Sequence, residues 1–287
     1  RSYLKAKGRR PHLLVMSATP IPRSLALTLY GDLDISVIDE IPPGRHRILT
    51  RWVEPIRRMA AYDFVRKEVH TGRQAFIVCP LIEESEAIQS RSAIEEHARL
   101  SSDVFPEFSL GILHGKMSLN DKETVMKTFQ RGELNILVST SVVEVGIDIP
   151  NASVMLIDGA DRFGLAQMHQ FRGRVGRGKH QSYCLLLADS PSEEASERLR
   201  IVEHVHDGFQ LAEEDLRIRG PGDFLGTRQS GLADFKMARI TDHDILNLAR
   251  REAIKLLELD IELTEDRNAS LAKYFKSYSE HIISDTS

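Results

Sequence analysis

Short, mostly apolar runs alternate with stretches of helical periodicity along most of this chain. The runs are His12-Leu-Leu-Val-Met16, 48–53, Gln74-Ala-Phe-Ile-Val-Cys-Pro80, 110–113, 135–138, 153–158 and 181–187. Runs this short with little alternation predict strands covered on both faces, the habit of parallel sheets. Between them, 55–70 places Ile56, Met59, Ala60, Phe64 and Val65 near helical spacing and ends on Thr71-Gly72, where Gly72 suits a left-handed cap. Glu83-Glu84-Ser85-Glu86 leads into a polar helix whose charges mark a solvated face. Ser118 and Asp121 predict the opening of another helix in capping-box style, with Val125, Met126 and Phe129 toward a core. Strands and helices in strict alternation with short connections predict an α/β fold, a parallel sheet wound by right-handed crossovers with helices on both faces.

The pattern also suggests boundaries. Ile41-Pro42-Pro43-Gly44-Arg45 joins a stiff Pro-Pro element to a glycine and reads as an interdomain linker. Residues 1–45 are then the end of one domain with its linker, and 46–190 a second domain. A helix through Glu203 to Glu213 and the loop after it form 191–240, and 241–287 are C-terminal helices, the first opened by Thr241 and Asp244. The chain begins at Arg1 and enters a strand almost at once, which reads as an entry into the middle of a domain.

Composition narrows the class. The 287 residues suffice for one large or two ordinary domains. A hydrophobic content of 41% with 28% charged residues is that of a soluble globular protein. Lys and Arg total 38 against 42 Asp and Glu, a net charge of -4, so any nucleic-acid contact must come from local patches rather than a global basic excess. Cys79 and Cys184 lie apart in apolar runs and read as buried thiols, neither a disulfide nor a metal site. His204 and His206 are two apart and do not share a helical face, which argues against a metal site there. No run is apolar enough to span a bilayer and no signal-peptide pattern opens the chain, so no membrane partner and a cytoplasmic location are expected.

The candidate chemistry centres on Gln170-Phe-Arg-Gly-Arg-Val-Gly-Arg-Gly178, expected on a helix over 164–177. Arginine at this density calls for an anion, and a guanidinium grips phosphate in a bidentate fork, so the target is a nucleotide or a nucleic-acid backbone. Upstream, Ser139-Thr-Ser-Val-Val-Glu-Val-Gly-Ile-Asp-Ile-Pro150 ends a strand in hydroxyls able to donate to phosphates, and brings a glycine and a carboxylate soon after. Ser17-Ala18-Thr19 also ends a strand, with hydroxyls that either cap the helix around 23–29 or face a ligand at the sheet's carboxyl edge. His114-Gly115-Lys116-Met117 is a strand-to-loop junction.

In this order the three signatures resemble motifs III, V and VI of superfamily 2 helicases. The resemblance implies a RecA-like fold of the P-loop NTPase superfamily. It makes Arg174 and Arg177 arginine fingers, sets Gln170, Gly146 and Asp148 toward the nucleotide, and sets Thr140 and Ser141 toward nucleic acid. Gly115 and Lys116 become backbone-phosphate contacts, and Ser17 and Thr19 couple the two sites. Farther on, Asp215-Leu-Arg217-Ile-Arg219-Gly-Pro-Gly-Asp-Phe-Leu-Gly-Thr-Arg228-Gln229-Ser-Gly231 resembles the translocation element shared by RecG and Mfd, with wording closer to RecG. That likeness assigns Arg217, Arg219, Arg228 and Gln229 to the device that converts cleft closure into movement along DNA.

The implied partners are ATP with Mg2+, held mainly by a first RecA-like domain, and duplex and branched DNA, including stalled forks and Holliday junctions, engaged also by an N-terminal wedge. The phosphate-cradling Gly-x-x-x-x-Gly-Lys-Ser/Thr loop and a strand-end Asp-Glu pair do not occur in these residues, so ATPase activity is not expected from them in isolation. Three other readings stand beside this one: an Mfd-like translocase acting on stalled RNA polymerase, a non-enzymatic DNA-binding module, and a regulatory interaction domain.

Overall fold

The computed structural model describes residues 14, 16, 36, 38, 40, 44–79, 86–140, 148–219 and 243–284. They fall in two compact units, one built on 44–208 and the other on 209–284. The first holds six strands: β1 (Leu49–Val53), β2 (Gln74–Val78), β3 (Leu110–Leu113), β4 (Ile136–Ser139), β5 (Ala152–Ile157) and β6 (Tyr183–Leu187). Every pairing is parallel, in the order β1-β6-β5-β2-β4-β3. Burial follows that order. The inner strands β2, β4 and β5 are buried at every position, whereas edge strands β1 and β3 alternate or open to solvent. The unalternating runs therefore mark the strands enclosed by neighbours and helices alike.

Helices α1 (Arg58–His70) and α2 (Glu86–Arg99) connect β1 to β2 and β2 to β3, and α3 (Leu119–Gln130) connects β3 to β4. Helix α4 (Leu165–Arg172) lies between β5 and β6, and α5 (Glu193–His204) follows β6. Strand periodicity sorts the core into two faces. Ala75, Ile77, Ile136, Val138, Val154, Leu156, Leu185 and Leu187 cluster with Tyr62, Val65 and Val69 of α1 and with Leu100 and Phe105 beyond α2. On the other face Phe76 meets Phe129 of α3 edge to face at 5.1 Å. The exposed side of β1 is partly closed by α5, since the Trp52 amide donates to Glu203 Oε1 at 3.4 Å and the Arg200 guanidinium sits 6.0 Å from the Trp52 ring. Closing an edge this way removes a template for unwanted strand pairing.

Three local expectations change. Residues Pro55–Arg57 form a 3-10 turn before α1, so the buried positions of that helix are Ala61, Tyr62, Val65 and Val69, while Ile56 and Met59 are exposed. Helix α4 ends at Arg172, so Arg174 and Arg177 lie on the loop after it rather than on a helix. The helix expected over 203–213 is two helices, α5 and α6 (Gly208–Arg219), separated by Val205-His206-Asp207. The Gly72 cap is as expected, at φ +84, and Ser118 Oγ accepts from the Asp121 amide at 3.1 Å.

Gln74 plays a part the sequence does not advertise. It is 3% exposed, and its Nε2 donates to the main-chain oxygens of Phe129 (2.6 Å) and Leu134 (2.7 Å), which tethers the end of α3 to the start of β2. Cys79 and Cys184 are buried free thiols, and burial pushes Cys184 up to about 12. Such thiols are unreactive.

The second unit contains α6, then α7 (His243–Leu259) and α8 (Ala269–Ser284). Asp260 organises the turn between the last two, accepting from the Thr264 and Glu265 amides and from Asn268 Nδ2. Among the described residues no helix is long and apolar enough to cross a membrane.

Candidate nucleotide and nucleic-acid sites

The arginine loop is fixed by how closely backbone meets backbone. Gly176 has φ +78, which only glycine adopts without strain. A Cβ on Gly178 would fall inside contact distance of the Pro150 main-chain oxygen, so a hydrogen is all that fits. These contacts seat the loop near Ile48 and Pro150, just before β1 and β5 begin. It therefore lies at the amino edge of the sheet. There Arg177 Nη1 donates to Asp148 Oδ1 at 3.3 Å and Nε to the Gly173 oxygen at 3.2 Å. The Arg177 side chain is 24% exposed and that of Asp148 56% exposed, so the pair opens onto solvent. Arg174 and Gln170 are half-buried nearby in sequence, and the Arg174 amide donates to the Phe171 oxygen at 3.0 Å.

The residues expected to face nucleic acid gather at the opposite edge. Thr140 directly follows β4, is 4% exposed, and its amide donates to the Leu113 oxygen at the end of β3 (3.2 Å). Beside it the 114–117 turn is held by Lys122 Nζ donating to the Gly115 oxygen at 2.8 Å, and Lys116 is exposed. His114 Nδ1 and Ser139 Oγ are buried here without a hydrogen-bond partner among the described residues. Burial, with Lys122 and Lys116 behind it, holds the His114 pKa below its ordinary value. Strands of four to six residues separate the two edges. At about 3.3 Å per residue that is roughly 13–20 Å.

The carboxyl edge is also locked by Arg58 at the start of α1. Its Nη1 reaches both Asp158 oxygens after β5 (2.9 and 3.0 Å), and its Nη2 reaches Asp189 after β6 (2.8 Å). Burial raises the Asp158 carboxyl above its ordinary range, with Arg58 opposing. Neither this clamp nor Gln74 carries a sequence signature.

The other predicted residues are distributed as follows. Arg217 is exposed on α6 and pairs with Glu214 at 2.8 Å, and Arg219 is the last residue of that helix. Ser17, Thr19, Ser141, Gly146, Arg228 and Gln229 lie outside the described residues.

Arg172 differs from its neighbours in the arginine stretch. It is 4% exposed and turned inward. Nη1 donates to the oxygens of Val202 (2.9 Å) and Val205 (3.0 Å), and Nη2 to the oxygen of His206 (3.3 Å) and to His169 Nδ1 (3.0 Å). Burial, then the Arg172 charge, holds both His169 and His206 down to about 4. With folded values below the ordinary 6.5, the unfolded chain binds more protons between these limits. The contribution is complete above about pH 6.5 and is lost as pH falls through about 4. The unfolding temperature should therefore drop from pH 7 to pH 4.5, and His169→Gln should flatten that slope. Equal slopes for wild type and variant would refute the assignment.

Over residues 58–179 the sequence matches the family described as Helicase conserved C-terminal domain, and over 205–286 that described as ATP-dependent DNA helicase RecG, domain 3, C-terminal. The ATP-dependent DNA helicase RecG of Synechocystis sp. is 52% identical over 264 residues, 92% of this chain and 32% of that protein. The chain belongs to the RecG family. The RecG of Bacillus subtilis is 49% identical over 272 residues, 94% of this chain and 40% of its own length. A solved structure of RecG bound to a three-way DNA junction superposes with a TM-score of 0.67 at 50% identity, covering 85% of this chain and 31% of that one. This RecG-family chain thus spans 32–40% of the length of the two curated relatives. The sheet is that of a helicase C-terminal, RecA-like domain, as the sequence predicted.

Proposed function

We propose that this chain supplies the second wall of the ATP cleft and the transmission of a RecG-type enzyme that translocates on duplex DNA and remodels branched DNA. The observation that supports it most is the Arg177–Asp148 pair on a loop clamped to the amino edge of a RecA-like sheet, in a chain whose relatives are described as ATP-dependent DNA helicases. A guanidinium held by one main-chain oxygen and one exposed carboxylate keeps further N–H donors for a phosphate. Surface pairs of this kind are weak, so a triphosphate arriving from a facing domain displaces Asp148 readily. Arg174 and Arg177 then offset the charge that grows on the γ-phosphoryl oxygens, the role of an arginine finger. Asp148, Gly146 and Gln170 orient the nucleotide beside them. The nucleotide's Mg2+ is assigned to the first RecA-like domain, which holds most of the ATP.

At the carboxyl edge Thr140, Ser141, Gly115 and Lys116 hold DNA through sequence-independent phosphate contacts. Arg217, Arg219, Arg228 and Gln229 pass the motion of the cleft to the duplex, and Ser17 and Thr19 link the two sites. An enzyme of this kind acts on forks and junctions in the cytoplasm. Full-length protein containing this chain should hydrolyse ATP only slowly until junction DNA is added, then convert three-way junctions to separated duplexes. Hydrolysis indifferent to DNA, or a full-length sequence without a phosphate-cradling lysine loop, would overturn the reading.

A further inference from the structure

The first arginine of the Gln170–Gly178 stretch takes no part in the Arg177–Asp148 pair. Arg172 closes α4, and among the described residues its side chain donates to His169 one turn back, to Val202 in the last turn of α5, and to Val205 and His206 just beyond it. The last carbonyls of a helix lack partners within it and carry the negative end of its dipole, so a buried cation is well matched to them. Val202 belongs to the last turn of α5, and Val205 and His206 form the non-helical break that follows. Helix α6 begins at Gly208, two residues beyond His206. One guanidinium thus holds the break between the two helices, while the backbone that carries it leads within five residues to Arg177.

The alternative partner for a buried guanidinium is a carboxylate. Among the described residues none pairs with Arg172, and burial lowers its affinity for its proton. The charge is stabilised by the carbonyls of Val202, Val205 and His206 and by the His169 ring nitrogen, a geometry that depends on where the α5 terminus sits. A shift of the finger loop by an ångström would have to stretch these bonds or carry residues 202–206 with it, and buried networks resist the first because an unpaired charge in the interior is costly.

We propose that Arg172 is a positioning residue that transmits displacement of the finger loop to the α5–α6 break, and hence to the helix carrying Arg217 and Arg219. The proposal rests on the motor function proposed above. Nothing in it requires Arg172 to touch nucleotide or DNA.

Two variants of the full-length enzyme test it, Arg172→Met, which keeps the length and removes every donor, and Arg172→Lys, which keeps charge but not the fork. In each, DNA-stimulated ATP turnover and the number of three-way junctions separated per ATP are measured together. Turnover should stay near wild type. Junctions separated per ATP should fall about tenfold in Arg172→Met and less in Arg172→Lys, within the range of ordinary coupling free energies. Amide exchange at 205–208 should also cease to respond to a non-hydrolysable ATP analogue.

Wild-type junctions per ATP in both variants would overturn the proposal. A proportional fall in turnover and separation, or failure of both variants to fold, would make Arg172 a structural tie only and overturn it equally. Wild-type enzyme that shows no DNA-stimulated turnover would instead sink the motor reading, before any variant is compared.

Discussion

Arg177→Ala in the full-length enzyme should lower DNA-stimulated ATP turnover by roughly 10³-fold or more, the usual weight of an arginine finger, and Arg174→Ala should do the same. Duplex binding should change little, because both residues sit at the amino edge, a strand's length from Thr140 and Lys116. The reverse pattern is expected of Lys116→Ala, with weaker, less salt-sensitive duplex binding and a turnover that recovers at saturating DNA. Arg177→Lys separates charge from shape. An ammonium keeps the positive charge but cannot span two phosphate oxygens as a planar fork does, so turnover should recover only partly. Turnover and DNA binding are read on the same preparations by steady-state hydrolysis and by fluorescence anisotropy across a salt series. Near-wild-type turnover in both alanine variants would remove Arg174 and Arg177 from the cleft.

The opposite placement of these two groups was only half legible in the sequence. Residues 139–150 form one signature, yet Thr140 follows β4 at the carboxyl edge whereas Asp148 stands before β5 at the amino edge. A parallel order already requires the connection between those strands to return from one edge to the other; what linear order cannot show is that Arg177 meets Asp148 where it arrives. The strands were readable because β2, β4 and β5 are buried on both faces, which leaves an unbroken apolar run as their trace.

The covered face of α1 was not, because Pro55–Arg57 wind as a 3-10 turn and shift the phase against which Ile56 and Met59 were counted. Nor was the break at Val205–Asp207, whose main-chain oxygens at 205 and 206 are accepted into the Arg172 network instead of an α-helical ladder. Of the three arginines within six residues, the resemblance singled out Arg174 and Arg177 and gave Arg172 no role. Burial shows what Arg172 does instead, bonded to main-chain carbonyls in the interior, while Arg177 pairs with an exposed carboxylate.

The same loop offers a test that alters no charge. Gly178→Ala places a methyl against the main-chain oxygen and carbon of Pro150, atoms that cannot rotate away as a side-chain tip could. The loop must lift from the strand, at a cost on the order of 3 kcal/mol, the upper end of overpacking penalties. Pro150 is two residues from Asp148, and Gly178 is next to Arg177, so the contact that excludes the methyl also sets the spacing of that pair. Thermal unfolding should therefore move down by several degrees, and turnover should fall toward that of Arg177→Ala although every guanidinium remains.

Gly173→Ala is the matched comparison. It caps α4 at φ -68, and a Cβ there meets nothing nearer than 3.5 Å, so stability and turnover should hold. If Gly178→Ala instead behaves like Gly173→Ala, the loop is not clamped to the sheet, and the position of Arg177 has some other cause.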